Sequence, residues 1–387
     1  MSTANNAAKR IVHINQYGSF KGGVENYIYE IAEWMQEYEH YLIYKFDGGM
    51  EYRKIFKASY EILGSGGMAI EEALKDIRPT HLIVYNIGNE SMEAFFRLRS
   101  QLGFKIMKSF HDYSMFYVGP GYNRLTLTRI RSPLTWHSIF TAMTRDAFTR
   151  KIRFENVFRK RKLLAEINSV DAIEIHTEDM KRLLEQSGIR TDKACINPPW
   201  AKDFGPVAPP PKDAPILFVG NLIRGKGFKL LLKALRKVDA PYKLKVAGDG
   251  YLRQSLERYA LRYKIRADFL GHVPKKALSD LYRSSAFIIM PSLLEGFGFV
   301  IIEAMSHSRP AIAFDIGGVS GIIKDGIDGY VIRPFDLSEL AAKIEGLLQN
   351  PDKVIAMGQE GRKVFLSKFT FEHHLARLRK KLSELEG

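Results

Sequence analysis

An α/β fold of two doubly wound domains that face each other across a cleft is predicted by three observations. Short apolar strands alternate with amphipathic helices along the 387 residues, and this alternation is typical of parallel sheets covered by helices. A proline-rich stretch interrupts the pattern near the middle, after which the alternation starts again. The chain is also too long for one ordinary core and suits two domains of average size.

The first domain is predicted over residues 1–200. It begins with the apolar strand RIVHINQY, a loop that contains Gly22 and Gly23, and a helix with one apolar face. Further strands are expected at YLIYKF, HLIVYNI, KIMKSF and DAIEIHT, with helices at GMAIEEALKDI and EDMKRLLEQSG.

A linker is predicted over residues 201–214, because AKDFGPVAPPPKDAP places five prolines within fifteen residues and has no apolar period. The second domain follows over residues 215–365. Its strands are expected at PILFVGN, KLKVAGDG, ADFLGHV, AFIIMPS, PAIAFD and GYVIRP. Residues 366–387 form a final amphipathic helix, which we expect to return to the first domain.

Composition restricts the cellular setting. Apolar residues make up 45% of the chain, but no run of about 18 of them occurs and the start MSTANNAAKR has no apolar signal segment. We therefore expect neither a membrane span nor export. Cys195 is the only cysteine, so an internal disulfide and a cysteine-rich metal site are excluded. The expected compartment is the cytoplasm.

Much of the net charge of +15 lies in one block of the chain. Residues 119–162 contain eleven Arg/Lys and two acidic residues, with aromatic residues between the charges. Such a segment suits an anionic membrane surface. The residues expected on that surface are Trp136, Arg150, Lys151, Arg153, Arg159, Lys160, Arg161 and Lys162. A solvated helix with its aromatics in the first core is an alternative; nucleic-acid binding is a third reading, and we expect no nucleic-acid partner.

GNLIRGKGFKLLLKAL, residues 220–235, places glycines between a strand and a helix. Gly225 and Gly227 permit close backbone approach, and Lys226 stands beside the helix start. Free backbone N–H groups and the helix dipole attract an anion to such a place. The segment predicts an anion site, and an ordinary turn with a solvated lysine is the alternative.

PSLLEGFGFVIIEA, residues 291–304, holds two glutamates on either side of a glycine-rich turn. Glu295 lies in the loop, and Glu303 falls on the first turns of the following helix, where a carboxylate can accept two hydrogen bonds from a ribose diol. The glycines leave room for a sugar and a phosphate beside backbone N–H groups. The segment predicts a sugar-nucleotide site, and a loop acid plus an ordinary helix acid is the alternative.

Two features of the first domain indicate the same cleft. His111 follows the strand KIMKSF, and Gly22 and Gly23 follow the first strand. All three therefore lie at carboxyl ends of strands, where the ligands of parallel sheets bind. Small residues there would let a diphosphate lie against the backbone. A purely structural histidine is the alternative for His111.

These segments together resemble glycosyltransferase family 4, retaining group 1 glycosyltransferases of the GT-B fold. The resemblance rests on GGVEN, HDY, FVGN followed by GKG, VAGDG, FLGHVP, LYRSSAF, EGFGFVIIEAM and DIGGVSGIIKDGIDGYVI. It is dense from about Pro215 to Pro334 and thinner in the first half. The glutamate pair with its glycine turn is the most specific element.

The resemblance implies roles for individual residues. Lys226 matches the lysine that neutralises the donor diphosphate, and Glu303 matches the acid that binds the ribose. Glu295 resembles the glutamate that holds the donor sugar, and His111 the histidine against that sugar, so that His111, Glu295 and Lys226 form the implied catalytic group. The further donor contacts that it implies are Gly22 and Gly23 beneath the diphosphate, the backbone of Phe297, Gly298, Phe299 and Val300, and Gly271, His272 and Val273 at the base.

One position departs from the family. The family usually has an arginine directly after the glycine of GNL, as a second positive group on the diphosphate, whereas this chain has Asn221. Arg224 is the candidate replacement. If it does not contact the donor, stabilisation of the leaving group rests on Lys226 and backbone dipoles.

The implied activity is that of a retaining hexosyltransferase, which moves a sugar from a nucleotide-diphosphate sugar to a glycan or lipid-linked acceptor at the cytoplasmic membrane face. No Asp-x-Asp occurs in the sequence, so we expect neither a metal nor another cofactor, and fixed cations and N–H dipoles would stabilise the leaving diphosphate. A catalytically silent sugar-nucleotide-binding protein and a GT-B epimerase are the alternatives. The sugar, base, acceptor, linkage and oligomeric state stay open.

Overall fold

The computed structural model describes residues 8–46, 48–62, 67–86, 92–111, 162 and 165–386, and it contains two parallel sheets. The first sheet has seven strands in the order β3-β2-β1-β4-β5-β6-β7. These strands are β1 Arg10–Tyr17, β2 Glu39–Phe46, β3 Ala58–Glu61, β4 His81–Val84, β5 Lys105–Ser109, β6 Ala172–Ile175 and β7 Ala194–Ile196. The second sheet has six strands in the order β10-β9-β8-β11-β12-β13. Its strands are β8 Ile216–Val219, β9 Leu244–Ala247, β10 Ala267–Gly271, β11 Ile288–Met290, β12 Ala311–Phe314 and β13 Gly329–Ile332.

Helices cover the faces of both sheets. In the first half the described helices are Gly23–Trp34, Met50–Arg53, Gly67–Ile77, Glu93–Leu102 and Glu178–Gln186. In the second half they are Phe228–Leu235, Arg253–Arg262, Lys275–Ser284, Phe299–Ser306, Val319–Ile322, Leu337–Leu348, Pro351–Lys368 and Phe371–Glu386, with a short 3₁₀ helix at Arg224–Lys226. Central strands such as β4, β6 and β12 are buried along their whole length, because helices cover both of their faces.

The strand order of each sheet reverses at one point. In the first sheet the chain moves outward from β1 in one direction and then continues from β4 in the other, and in the second sheet the reversal lies between β8 and β11. Loops that leave adjacent strands at such a point diverge and form a crevice at the carboxyl edge. The candidate donor-site segment therefore lies at the reversal of the second sheet.

The final helix crosses back to the first domain, as predicted. Leu375, Leu378 and Leu382 of Phe371–Glu386 belong to the same apolar cluster as Tyr27 and Ile28. The preceding helix, Pro351–Lys368, extends three residues beyond the expected domain end at residue 365, because Phe365 packs within the core of the second domain. The doubly wound two-domain architecture is thus confirmed.

Two chain crossings join the halves. The first crossing runs through the predicted linker, in which residues 201–211 form no helix or strand. Its Ala201 N–H donates to the carbonyl of Phe369 on the second crossing, at 3.1 Å. In the described part of the chain, no helix has the length and apolar character needed to cross a membrane.

Candidate functional site

Two loops meet at the point where the second sheet reverses. The loop after β8 carries Lys226, and the loop after β11 carries Glu295. The N–H of Leu293 donates to the carbonyl of Gly225 at 2.7 Å, so the backbone of one loop is fixed to that of the other. Segments that lie about seventy residues apart in sequence therefore form one surface.

Lys226 and Glu295 form an ion pair on this surface. Lys226 Nζ donates to Glu295 Oε2 at 2.7 Å, and 27% and 15% of the two side chains are exposed. The partial burial limits screening by solvent, so the pair is electrostatically stronger than a typical surface pair. Both groups remain accessible enough to exchange partners with a charged ligand.

Each of the two loops ends in a glycine that starts a helix. Gly227 precedes Phe228–Leu235 with φ +65°, and Gly298 precedes Phe299–Ser306 with φ +104°. Both values lie in the region that favours glycine, and no side chain caps either helix. The positive ends of two helix dipoles are thus held next to Lys226 and Glu295, which suits an anionic ligand.

Glu303 lies in the middle of the helix Phe299–Ser306 and is held by an aromatic partner. Its Oε2 accepts a hydrogen bond from Tyr282 Oη at 2.7 Å. Burial raises the pKa of Tyr282 well above its ordinary value, and the negative Glu303 acts in the same direction. The phenol therefore remains protonated and keeps one carboxylate oxygen of Glu303 oriented.

The remaining donor-side positions lie along the carboxyl edge of β8 to β10. Asn221 and Arg224 are exposed, and the Arg224 backbone N–H donates to Tyr251 Oη at 3.3 Å. Gly271 is buried with φ +71°, His272 is exposed and Val273 is half-buried. In the described residues the Arg224 guanidinium has no hydrogen-bond or ion-pair partner, so it can reach a ligand without losing one.

In the first domain, Gly22 and Gly23 are exposed at the start of the helix Gly23–Trp34. His111 lies just after β5, half-buried, with both ring nitrogens engaged inside the domain. Nε2 lies 3.0 Å from Ser109 Oγ, and Nδ1 lies 3.1 Å from His176 Nε2. Burial lowers the pKa of His111 well below its ordinary value, and His176 and Lys108 add to the effect.

His176 connects the two halves of the cleft. Its ring lies 4.5 Å from that of His111 and 6.4 Å from that of Phe297, which belongs to the glycine-rich turn after Glu295. Burial also lowers the pKa of His176. The structure therefore brings the His111 region of the first domain next to the Glu295 loop of the second.

Several residues around this site were not predicted from the sequence. Tyr282 orients Glu303, and Ser109, Glu174, His176 and Asn197 surround His111. One signal was present in DAIEIHT, where Glu174 and His176 alternate with isoleucines in an otherwise apolar strand. A period of two places His176, the residue after β6, on the same side as Glu174, next to the end of β5.

Most of the predicted membrane-facing residues lie outside the described residues. These are Trp136, Arg150, Lys151, Arg153, Arg159, Lys160 and Arg161. Lys162 is described and exposed, and its Nζ lies 2.7 Å from Glu93 Oε1. Within the described ranges, no group of three or more His, Cys, Asp or Glu residues is arranged to hold a metal ion.

Comparison with known proteins finds a family model that matches the second half of the chain. Residues 201–364 match the model of the family described as glycosyl transferases group 1. An uncharacterized glycosyltransferase of Methanocaldococcus jannaschii is 32% identical over 170 residues, which cover 44% of this chain and 48% of that protein. The undecaprenol-linked GalNAc-alpha-(1->4)-GalNAc-alpha-(1->3)-diNAcBac alpha-1,4-N-acetyl-D-galactosaminyltransferase of Campylobacter jejuni is 33% identical over 144 residues, covering 36% of this chain and 40% of that protein.

The structural similarity to known proteins extends over almost the whole chain. The structure of the Anabaena protein HepE in complex with UDP superposes with a TM-score of 0.74 and 14% sequence identity, over 97% of this chain and all of that one. The architecture is therefore the GT-B fold, as predicted. The match to the model of the group 1 glycosyl transferases over residues 201–364 confirms the resemblance for that part of the chain. The alignments with the two curated relatives span less than half of this chain and of each relative.

Proposed function

We propose that this protein is a glycosyltransferase that takes a sugar from a nucleotide-diphosphate sugar. The observation that carries the proposal is the pair Lys226–Glu295, which lies between two helix starts at the reversal of the second sheet. A cation and helix N-termini suit a diphosphate, and an adjacent carboxylate suits sugar hydroxyls. HepE, which has the same fold, was solved with UDP bound, and this supports a nucleotide donor.

Binding of the donor would separate this ion pair and give each of the two side chains a new partner. Lys226 Nζ would leave Glu295 for the diphosphate, and the Glu295 carboxylate would then accept hydrogen bonds from the sugar. Negative charge that develops on the leaving diphosphate is stabilised by Lys226 and by the N–H groups at Phe228 and Phe299, because such preorganised groups act most strongly where charge forms in the transition state. Arg224 is a second cation within the same loop.

The same proposal assigns the other contacts. Glu303, held by Tyr282, binds the ribose, and the segment Gly271–Val273 borders the base. His111 faces the donor sugar from the first domain, and Gly22 and Gly23 lie beneath the diphosphate. The family resemblance further supports retention at the anomeric carbon and transfer of a hexose. Lys226 and the helix N-termini take the place of a metal ion on the diphosphate.

The acceptor is proposed to be a glycan or a lipid-linked glycan at the inner face of the membrane. The name of the Campylobacter relative describes an undecaprenol-linked acceptor, and residues 119–162 supply basic and aromatic side chains suited to an anionic surface. This acceptor would place the protein in the synthesis of a polysaccharide, lipopolysaccharide or glycolipid, as a peripheral protein of the cytoplasmic face.

Nucleotide binding provides the direct test. UDP, GDP and ADP with their sugar conjugates are titrated into the wild type without added metal, and binding is followed by calorimetry and by thermal unfolding. At a hundredfold excess over Kd, a ligand raises the free energy of unfolding by about 2.7 kcal/mol. Glu303→Ala and Lys226→Ala should weaken binding by roughly tenfold to a hundredfold, because each removes a charged hydrogen-bond partner worth about 1.5–3 kcal/mol.

Two surface variants of the same domain serve as controls. Lys229→Ala removes an exposed lysine three positions after Lys226, and Glu360→Ala removes a half-exposed glutamate from Pro351–Lys368. Both should bind like the wild type. If no nucleotide binds the wild type with or without magnesium, the proposal is wrong. Binding without transfer to any acceptor would instead identify a silent sugar-nucleotide-binding protein.

A further inference from the structure

A fully buried carboxylate lies at the end of β6. None of the Glu174 side chain is exposed, and three uncharged groups donate to it. Tyr27 Oη and Asn197 Nδ2 lie 2.9 and 2.7 Å from Oε1, and Ser109 Oγ lies 2.6 Å from Oε2. A buried carboxylate is costly unless its charge is compensated, so compensation has to come from nearby.

Ser109 connects this carboxylate to His111. The chain of contacts runs from Glu174 Oε2 to Ser109 Oγ at 2.6 Å, from Ser109 Oγ to His111 Nε2 at 3.0 Å, and from His111 Nδ1 to His176 Nε2 at 3.1 Å. It ends at the Asn197 carbonyl oxygen, 2.7 Å from His176 Nδ1. The chain thus joins β6, β5 and the residue that follows β7.

Each of these four contacts requires one hydrogen atom. The carbonyl of Asn197 can only accept, so His176 Nδ1 carries a hydrogen. With an ionised Glu174 and two neutral imidazoles, Ser109, His111 and His176 supply three hydrogens in all. A fourth is needed, since two facing lone pairs at hydrogen-bond distance would repel each other. These four contacts therefore require one additional bound proton. The branch through Glu174 Oε1 is one hydrogen short as well, because Tyr27 Oη, which donates to Oε1, also lies 2.9 Å from His374 Nε2, and His374 Nδ1 donates to the Pro198 carbonyl.

Burial and nearby positive charge oppose placing this proton on His111 alone, because they lower the pKa of that residue. In an interacting pair of groups the proton belongs to the pair as a whole, here Glu174 and His111 bridged by Ser109. Among the described residues, the other titratable groups that face this cluster are Tyr27, Tyr85, Lys108, Cys195, His374 and Arg377.

We propose that Glu174 is a positioning residue of the cleft, which through Ser109 fixes the orientation and the proton content of His111. The inference rests on the proposed function, in which His111 faces the donor sugar. A ring held at both nitrogens keeps one orientation while the donor binds. Loss of the bridge should therefore reduce turnover more than it reduces affinity for the nucleotide.

Glu174→Gln tests the proton count. A glutamine Nε2 that faces Ser109 donates to its Oγ, and the Ser109 hydroxyl then donates to His111 Nε2. All four contacts are then satisfied by neutral groups, so the fold is kept and the additional proton is lost. In ¹⁵N-histidine NMR spectra of the wild type, the ring nitrogen signals of His111 and His176 should shift together over the same pH range, which we call a joint titration. Glu174→Gln should not show this joint titration.

Glu166→Gln is the matched control, because Glu166 is a largely buried glutamate of the same domain that accepts from the Met92 N–H at 2.7 Å. It should retain the joint titration. The same titration in Glu174→Gln as in the wild type would overturn the proton count. The spectra need no substrate, so this result is independent of whether nucleotides bind.

Ser109→Ala tests the positioning role. It removes the bridge and leaves Glu174 its contacts with Tyr27 and Asn197. With the donor identified by the binding experiment, kcat should fall at least tenfold while Kd for UDP changes little. The unfolding temperature should fall as well, because a buried carboxylate oxygen loses a hydrogen-bond donor. Wild-type kcat in Ser109→Ala would contradict the role of Glu174, whereas failure of the wild type to bind any nucleotide would contradict only the proposed function.

Discussion

Gly227 shows how the donor site depends on a single residue type. It adopts φ +65° immediately before the helix Phe228–Leu235, and an added Cβ would collide with the carbonyl oxygen of Pro291. Only glycine therefore allows the loop after β8 to lie against the loop after β11. The close approach also sets the separation between Lys226 and Glu295.

We predict that Gly227→Ala lowers the free energy of unfolding by about 3 kcal/mol or more, since the new side chain meets both a strained φ and a backbone oxygen. Chemical denaturation measures this change, and nucleotide titration should show loss of binding as the two loops separate. Gly346→Ala is the control, because it lies inside Leu337–Leu348 with no heavy atom within 4 Å of the added Cβ. In Gly346→Ala the free energy of unfolding should rise by about 0.5–1 kcal/mol, because alanine favours a helix interior more than glycine does. Equal stability of the two variants would contradict the packing argument.

At the scale of the elements, strands β1 and β2 bury a pair of histidines. Tyr85 Oη lies 3.0 Å from His13 Nδ1, His13 Nε2 lies 2.9 Å from His40 Nδ1, and His40 Nε2 lies 2.9 Å from the Met35 carbonyl. Three contacts need three hydrogens, and the phenol and two neutral imidazoles supply them. This pair requires no additional proton, unlike the cluster around Glu174.

The neutral pair makes folding dependent on pH. Burial lowers the pKa of His13 well below its ordinary value and lowers that of His40 as well. The unfolded chain binds these protons near pH 6.5, and the folded chain does not. The contribution of this neutral pair to the free energy of unfolding is therefore fully present above about pH 6.5, and it is lost as the pH falls below that value.

We predict that the free energy of unfolding decreases between pH 6.5 and 5, by up to about 1.4 kcal/mol per pH unit for each such histidine. His13→Gln removes one titrating group. The free energy of unfolding of this variant should therefore depend less steeply on pH, by the uptake of close to one proton on unfolding. Urea denaturation across this pH range measures both slopes. Identical slopes would show that His13 takes up its proton without unfolding.

At the scale of the whole molecule, one buried and one half-buried arginine hold the linker to the second domain. The Arg309 guanidinium donates to the carbonyls of Ala208 in the linker and Arg283 in the domain. Burial lowers the pKa of Arg309 to about 10. Arg362 pairs with Asp203. The linker is therefore attached to the second domain at Asp203 and Ala208, although its proline-rich sequence resembles a free spacer.

The charge distribution of the whole molecule leads to a further prediction. Replacing Arg159, Lys160, Arg161 and Lys162 with glutamine should abolish cosedimentation with liposomes rich in anionic lipid at low salt, since each basic residue near such a surface contributes about 1 kcal/mol. The control replaces Lys233, Lys264, Lys276 and Lys353, which are exposed on the second domain, and changes the net charge equally. It should still sediment. If the wild type stays in the supernatant, the membrane role is wrong.

Much of the architecture was predictable because local patterns encode it. Apolar strands of four to eight residues, glycine turns and amphipathic helices recur in both halves, and their alternation already requires parallel sheets. The glycine-rich turn between Glu295 and Glu303 was likewise readable, because its backbone geometry depends on glycine. The short strands β3 and β7 were not identified, because they have only four and three residues and none of these is buried. The helices over 337–368 were also not identified, although Leu337–Leu348 carries a readable signal, with Asp336 as its N-cap and Leu340, Ile344 and Leu347 on one buried face.

By itself, the sequence determined the fold class, the two halves and the segments that carry Lys226, Glu295 and His111. Only the tertiary structure decided which side chains meet. Glu174 and Ser109 lie 65 residues apart, and Tyr282 and Glu303 lie on separate helices, so no local period relates them. Contacts of this kind arise from strand order and helix packing, and a hydrogen count becomes possible only once those contacts are known.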